Sequence, residues 1–100
     1  MDNSEMTIWV ANQLFSRGLV SGSTGNISFR EGEIIYISKS GSCFGTLNKD
    51  SFAKISVNGE IMKGKPSKEW PMHVKLYQTQ PHINGVIHTH SFFSTLFSCI

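Results

Sequence analysis

Apolar residues enter the chain at helical intervals. After the polar run Asp2-Asn3-Ser4-Glu5, the residues Met6, Trp9, Val10 and Leu14 recur with the period of an α-helix. Asn3 or Ser4 can cap its first turn, and Gly18 supplies a stop. One apolar stripe on an otherwise polar helix predicts packing against a sheet and a structural role. Past the small polar loop Ser21 to Asn26, the period shortens to two. Ile27-Ser28-Phe29-Arg30 predicts a strand, Glu31-Gly32-Glu33 a hairpin turn, and Ile34 to Ser38 the return strand. A second small-residue loop, Ser38 to Ser42, precedes a short helical turn at Asp50 to Phe52. Lys54 to Val57 and Glu60 to Met62 flank Asn58-Gly59, a dipeptide suited to a tight hairpin turn.

Helical spacing returns behind Pro66-Ser67, with Ser67 the expected N-cap and Trp70, Val74 and Tyr77 the apolar face. Pro71 fits such a helix only near its first turn, and Pro81 ends it. Gly85 to His90 reads as a buried strand, and Ser91 as the cap of a final apolar helix, Phe92 to Ile100. That last segment has no Gly, Pro or polar terminator, and its apolar run needs a covering layer. The pattern therefore predicts that residues 1–100 are the N-terminal part of a longer domain. No internal repeat or low-complexity tract interrupts it.

Composition narrows the class. A chain of 100 residues, 39% hydrophobic and 16% charged, holds one small globular domain. Its formal net charge of +2 is too small to argue for nucleic acid. Lys63, Lys65 and Lys68 form a loose basic group, readable as a solvated loop or as an anion site. Cys43 and Cys99 share no close spacing, so free thiols are expected. The acidic, polar N-terminus is unlike a signal peptide, and no apolar stretch approaches the roughly 20 residues of a membrane helix. A reducing cytoplasmic compartment and no membrane partner are the expectations.

The residues that could carry chemistry gather late in the chain. His88 and His90 lie two apart on an expected strand, so both imidazoles share a face and can converge on one ion. Thr89 points the other way, as packing. Glu69 stands at a helix start, where the dipole favours a carboxylate; it can equally serve as a base or transient metal ligand. His73, four residues on, reads as a helix-face histidine or as a further ligand or orienting partner. His82, after Pro81, is expected to be exposed. Three segments suit a phosphate: Thr24-Gly25-Asn26, Ser40-Gly41-Ser42, and Ser67 at the helix start.

Ser23-Thr24-Gly25-Asn26-Ile27-Ser28, Ser40-Gly41, Lys65-Pro66-Ser67-Lys68-Glu69 and Val86-Ile87-His88-Thr89-His90-Ser91 stand in an order that resembles the class II aldolase/adducin family. The resemblance runs from about Gly18 to Ile100. It implies an α/β/α layered fold with a central, largely antiparallel sheet, here truncated at the C-terminal side, and a homotetramer. It implies that His88 and His90 ligate zinc (Zn2+), or another divalent ion such as Mn2+ or Co2+. Glu69 becomes the catalytic acid/base and an occasional ligand. Thr24, Gly25, Asn26, Ser40, Gly41 and Ser67 become the phosphate site, with Lys68 on the substrate's carboxylate or phosphate. A third histidine ligand is expected downstream of Ile100.

Within the family, Glu69 where the epimerase branch carries Asp argues against epimerisation. Gly41 to Gly45, Lys65 to Glu69 and Ser98-Cys99-Ile100 look most like the 3-oxo-tetronate 4-phosphate decarboxylases. The implied reaction is carbon–carbon cleavage of a phosphorylated sugar acid through a metal-stabilised enediolate. A fuculose-phosphate-like aldolase is the second reading. A non-catalytic, adducin-like association domain is the third, and retention of His88, His90 and Glu69 speaks against it.

Overall fold

The computed structural model describes residues 1–20 and 25–89, and residues 94–97 as backbone. Helix α1 spans Asn3–Ser16 and helix α2 Trp70–Thr79. The strands are β1 (Asn26–Glu31), β2 (Ile34–Ser38), β3 (Phe52–Ser56), β4 (Ile61–Lys63), β5 (Gly85–His88) and β6 (Ser94–Phe97). They form one sheet in the order β4-β3-β2-β1-β5-β6, with every neighbouring pair antiparallel. Alternation along the strands divides the core in two. Ile27, Phe29 and Ile87 pack with Ala11 of α1 and with Phe44. Ile35, Ile37, Ala53, Ile55 and Val86 pack with Val74 and Tyr77 of α2. The result is the expected α/β/α layering about an antiparallel sheet. None of the described helices is long and apolar enough to cross a membrane.

Hairpin chemistry was well placed. Gly32 (φ +61°) and Gly59 (φ +90°) take the left-handed backbone that the turns β1–β2 and β3–β4 require. The short helical turn falls at Lys49–Ser51. Strands β3 and β4 sit within two residues of their expected bounds.

Both helix starts depart from expectation. Asp2, not Asn3 or Ser4, caps α1: the Glu5 N–H donates to its carboxylate at 2.8 Å, and the Asp2 N–H donates back to Glu5 at 3.0 Å. This reciprocal box satisfies two donors at once, which Asn3 and Ser4 cannot do, since Met6 and Thr7 stand three residues beyond them. The buried face of α1 is Thr7 and Ala11, while Trp9 is 50% exposed. Small side chains let the helix approach the sheet, and Trp9 lies nearly opposite them on the helical wheel. Helix α2 begins at Trp70, three residues past Ser67, with Glu69 at the cap position. Pro71 sets this start, because its missing N–H is tolerated only in the first turn.

The final helix is also corrected. Ser94–Phe97 is a strand, paired with β5 from Gly85↔Phe97 to His88↔Ser94. The rest of the expected helix lies outside the described residues. A short apolar run suits helix or strand equally by pattern. Pairing decides it: β5 is buried, and its second row of backbone donors and acceptors needs a partner.

Candidate active site

Antiparallel pairing carries the start of β1, the end of β2 and the end of β5 to one end of the sheet. Asn26 lies opposite His88 across β1 and β5. The Ser38 hydroxyl accepts from the Ile27 N–H at 3.1 Å, which ties β2 to the same end. Two loops are joined there. The Ser40 N–H donates to the Lys65 carbonyl at 3.0 Å, and the Ser67 N–H donates to the Ser38 carbonyl at 3.0 Å. Gly41 (φ +81°) turns the first of these loops back on itself. The Ser40–Gly41 and Ser67 segments, distant in sequence, are thus neighbours. Glu69 is half-buried at the start of α2, with Lys68 exposed beside it.

Helix α2 reaches this end of the sheet through His73, one turn after Glu69. Helical spacing read His73 chiefly as a helix-face residue, but it is wholly buried. Its Nε2 is 2.5 Å from the Asn26 Oδ1, and its Nδ1 is 2.6 Å from the Ser28 hydroxyl. Ser28 in turn lies 2.8 Å from the Tyr77 hydroxyl. The other atom of the Asn26 amide, Nδ2, is 3.5 Å from the His88 Nδ1. Asn26 is 2% exposed, so this chain runs through the interior. Burial, and then the nearby charge of His88, push the His73 pKa down to about 3. The ring is therefore neutral.

Ser28 and the hydroxyl of Tyr77 were missed as partners of this chain. The signal was available: Asn26 and Ser28 share a strand face, and His73 and Tyr77 share a helix face. Polar groups on two facing apolar surfaces must find each other.

The remaining candidates divide clearly. Gly25 leaves little room for a side chain, since a Cβ there would stand 3.1 Å from the His88 carbonyl oxygen and 3.2 Å from Phe44 Cζ. Thr89 is buried and His82 exposed, as expected, and Cys43 is a free thiol. Thr24, His90 and Cys99 lie outside the described residues. Among the described residues, no three His, Cys, Asp or Glu side chains come together as a metal site. A cleft of about 290 Å³ lies on the other face of the sheet, where Lys39, Lys49, Lys54 and Lys63 surround Phe29 and Tyr36.

The order of loops and strands around His88 is shared with known proteins. Residues 6–100 match the Class II Aldolase and Adducin N-terminal domain, and the chain belongs to this family. It is 40% identical over 100 residues to an L-fuculose phosphate aldolase of Methanococcus vannielii, all of this chain and 55% of that protein. It is 38% identical over 94 residues to the 3-oxo-tetronate 4-phosphate decarboxylase of Escherichia coli K12, 91% of this chain and 44% of that one. Among solved structures, YgbL from Escherichia coli superposes with a TM-score of 0.81 at 33% identity, over 89% of this chain and 44% of YgbL. The L-fuculose-1-phosphate aldolase of Thermus thermophilus gives 0.76 at 28% identity, over 87% and 44%. The chain thus spans about half the length of the relatives it matches.

Proposed function

We propose that the protein containing these residues is a metal-dependent lyase that breaks a carbon–carbon bond in a small phosphorylated sugar acid. Residues 1–100 are read as the N-terminal part of one such domain. The observation that carries the reading is the sheet end where Asn26 lies opposite His88, beside the joined Ser40 and Ser67 loops. That arrangement, in a chain of this family, supports a metal ligand next to a phosphate cradle.

In this reading, His88 and His90 hold the ion, with Glu69 as an occasional ligand. The donor chemistry fits zinc or a similar divalent ion: imidazoles, a carboxylate, and for His88 a hydrogen-bonding partner on its Nδ1. A bound cation supplies Lewis-acid polarisation of a substrate carbonyl. Glu69 takes or returns a proton at the reacting carbon, within a reach of about 3 Å. Thr24, Gly25, Asn26, Ser40, Gly41 and Ser67 bind the phosphate through hydroxyls and backbone N–H groups. Lys68 binds the substrate's carboxylate or phosphate. This remote binding orients the bond to be broken. A homotetramer and a cytoplasmic setting go with the reading.

The leaving group is carbon dioxide in the decarboxylase reading, which Lys68 favours. A sugar-phosphate aldolase, releasing an aldehyde, is the second reading. It is favoured by 40% identity over the whole chain to a relative named as such an aldolase. Zinc-loaded protein is to be incubated with a 3-oxo-tetronate 4-phosphate and, separately, with L-fuculose 1-phosphate. Carbon dioxide from the first supports the decarboxylase, and aldehyde from the second the aldolase. Glu69→Gln should then lower kcat by about 10²–10⁴-fold. Inactivity toward both substrates would sink the reading.

A further inference from the structure

The interior chain from Tyr77 to His88 has a direction, and the direction follows from which atoms can donate. The Asn26 Oδ1 only accepts, so the His73 Nε2 facing it at 2.5 Å carries the proton. A neutral imidazole has one N–H, so the His73 Nδ1 accepts, and the Ser28 hydroxyl donates to it over 2.6 Å. Ser28 has then spent its proton and accepts from the Tyr77 hydroxyl at 2.8 Å. At the other end, the Asn26 amide has only its Nδ2–H₂ left to offer, and this faces the His88 Nδ1 at 3.5 Å. A nitrogen that accepts cannot hold the ring proton. Neutral His88 therefore keeps its proton on Nε2, on the far side of the ring.

We infer that His73, acting through Asn26, sets which ring nitrogen of His88 carries the proton. His73 is a positioning residue: it touches neither the ion nor the substrate of the proposed reaction. The consequence for metal binding rests on the reading of His88 as a ligand. Ligation through Nε2 requires the proton to sit on Nδ1, donating to Asn26. That reverses the chain. The Asn26 amide turns over, its Nδ2 donates to the His73 Nε2, and the His73 proton moves to Nδ1, toward Ser28. Asn26, His73 and Ser28 each keep both neighbours in either direction: once reversed, Ser28 accepts from the His73 Nδ1 and donates to the Tyr77 oxygen. Protons are only redistributed within each ring and hydroxyl, and the net charge is unchanged.

Two substitutions separate the directions. Asn26→Asp places an acceptor-only carboxylate between the rings, so His88 must donate from Nδ1. His73→Leu removes the bias while leaving Ser28 paired with Tyr77 and Asn26 with His88. The tautomer of His88 is read by ¹⁵N NMR of the metal-free protein at about pH 8, above the ordinary imidazole range. Zinc affinity is read separately, by competition with a chromophoric chelator. The wild type should show His88 with its proton mainly on Nε2. His73→Leu should raise the Nδ1–H fraction, and Asn26→Asp should make it dominant and tighten zinc binding by about tenfold. The same His88 tautomer in all three folded proteins would overturn the inference. So would wild-type His88 protonated mainly on Nδ1. If His73→Leu fails to fold, Asn26→Asp alone decides. A tautomer that responds in a protein that binds no zinc supports the positioning role and sinks the metal reading instead.

Discussion

His73 sits between two hydrogen-bond partners and out of reach of water. Its pKa falls from the ordinary 6.5 to about 3, through burial first and the neighbouring His88 second. The sign of the consequence follows from proton counting. Above pH 6.5 both folded and unfolded chains hold this ring neutral, and its contribution to stability is complete. Below that pH the unfolded chain takes a proton that the folded chain refuses until about pH 3. Stability should therefore fall steadily as the pH drops through that window. Urea denaturation between about pH 7 and pH 5 measures the slope. His73→Leu should flatten it; an unchanged slope would assign the acid sensitivity to other groups.

Among the elements, α1 is held at its start by a device that the sequence spells out. The Asp2–Glu5 box satisfies two backbone donors on the protein surface. Asp2→Ala should lower the Tm modestly, with α1 still formed by circular dichroism. The hairpins were legible because Glu31-Gly32-Glu33 and Asn58-Gly59 are local statements, complete within a few residues. Helix starts were less so. A cap competes with its neighbours over one residue, and Pro71 overrules Ser67 from four positions away. The strand at Ser94–Phe97 was not legible at all, since its identity comes from β5, not from its own pattern. The same division holds at the site. Spacing singled out Glu69 and His88, whose chemistry is local. It undervalued His73, whose partners Asn26 and Ser28 lie more than forty residues away.

For the molecule as a whole, the family assignment and the layered fold agree, and the proposed metal ties them to stability. A ligand that binds only the folded state stabilises it, by about 2.7 kcal/mol at 100 times its Kd. Zinc should therefore raise the Tm of the protein, a chelator should reverse the rise, and His88→Ala should abolish it. A wild-type Tm indifferent to zinc across that concentration range would remove His88 from the ligand set. Differential scanning calorimetry in both states makes the comparison.

The seam between β1 and β5 also has a meaning in time. Strands β1 to β4 form a meander in which β1–β2 and β3–β4 are joined by tight turns and β2–β3 by a longer loop, so each pairing closes a loop much shorter than the one between β1 and β5. The β1–β5 seam instead joins Asn26 to His88, 62 residues apart. Closing so long a segment costs more chain entropy than any hairpin in the sheet. On a ribosome, the partner of Asn26 does not yet exist when the meander can already form. The residues proposed to bind metal and phosphate are brought together by the pairing of longest sequence separation among the described strands. A chain in which Asn26 has met His88 is a chain that has already closed its longest loop.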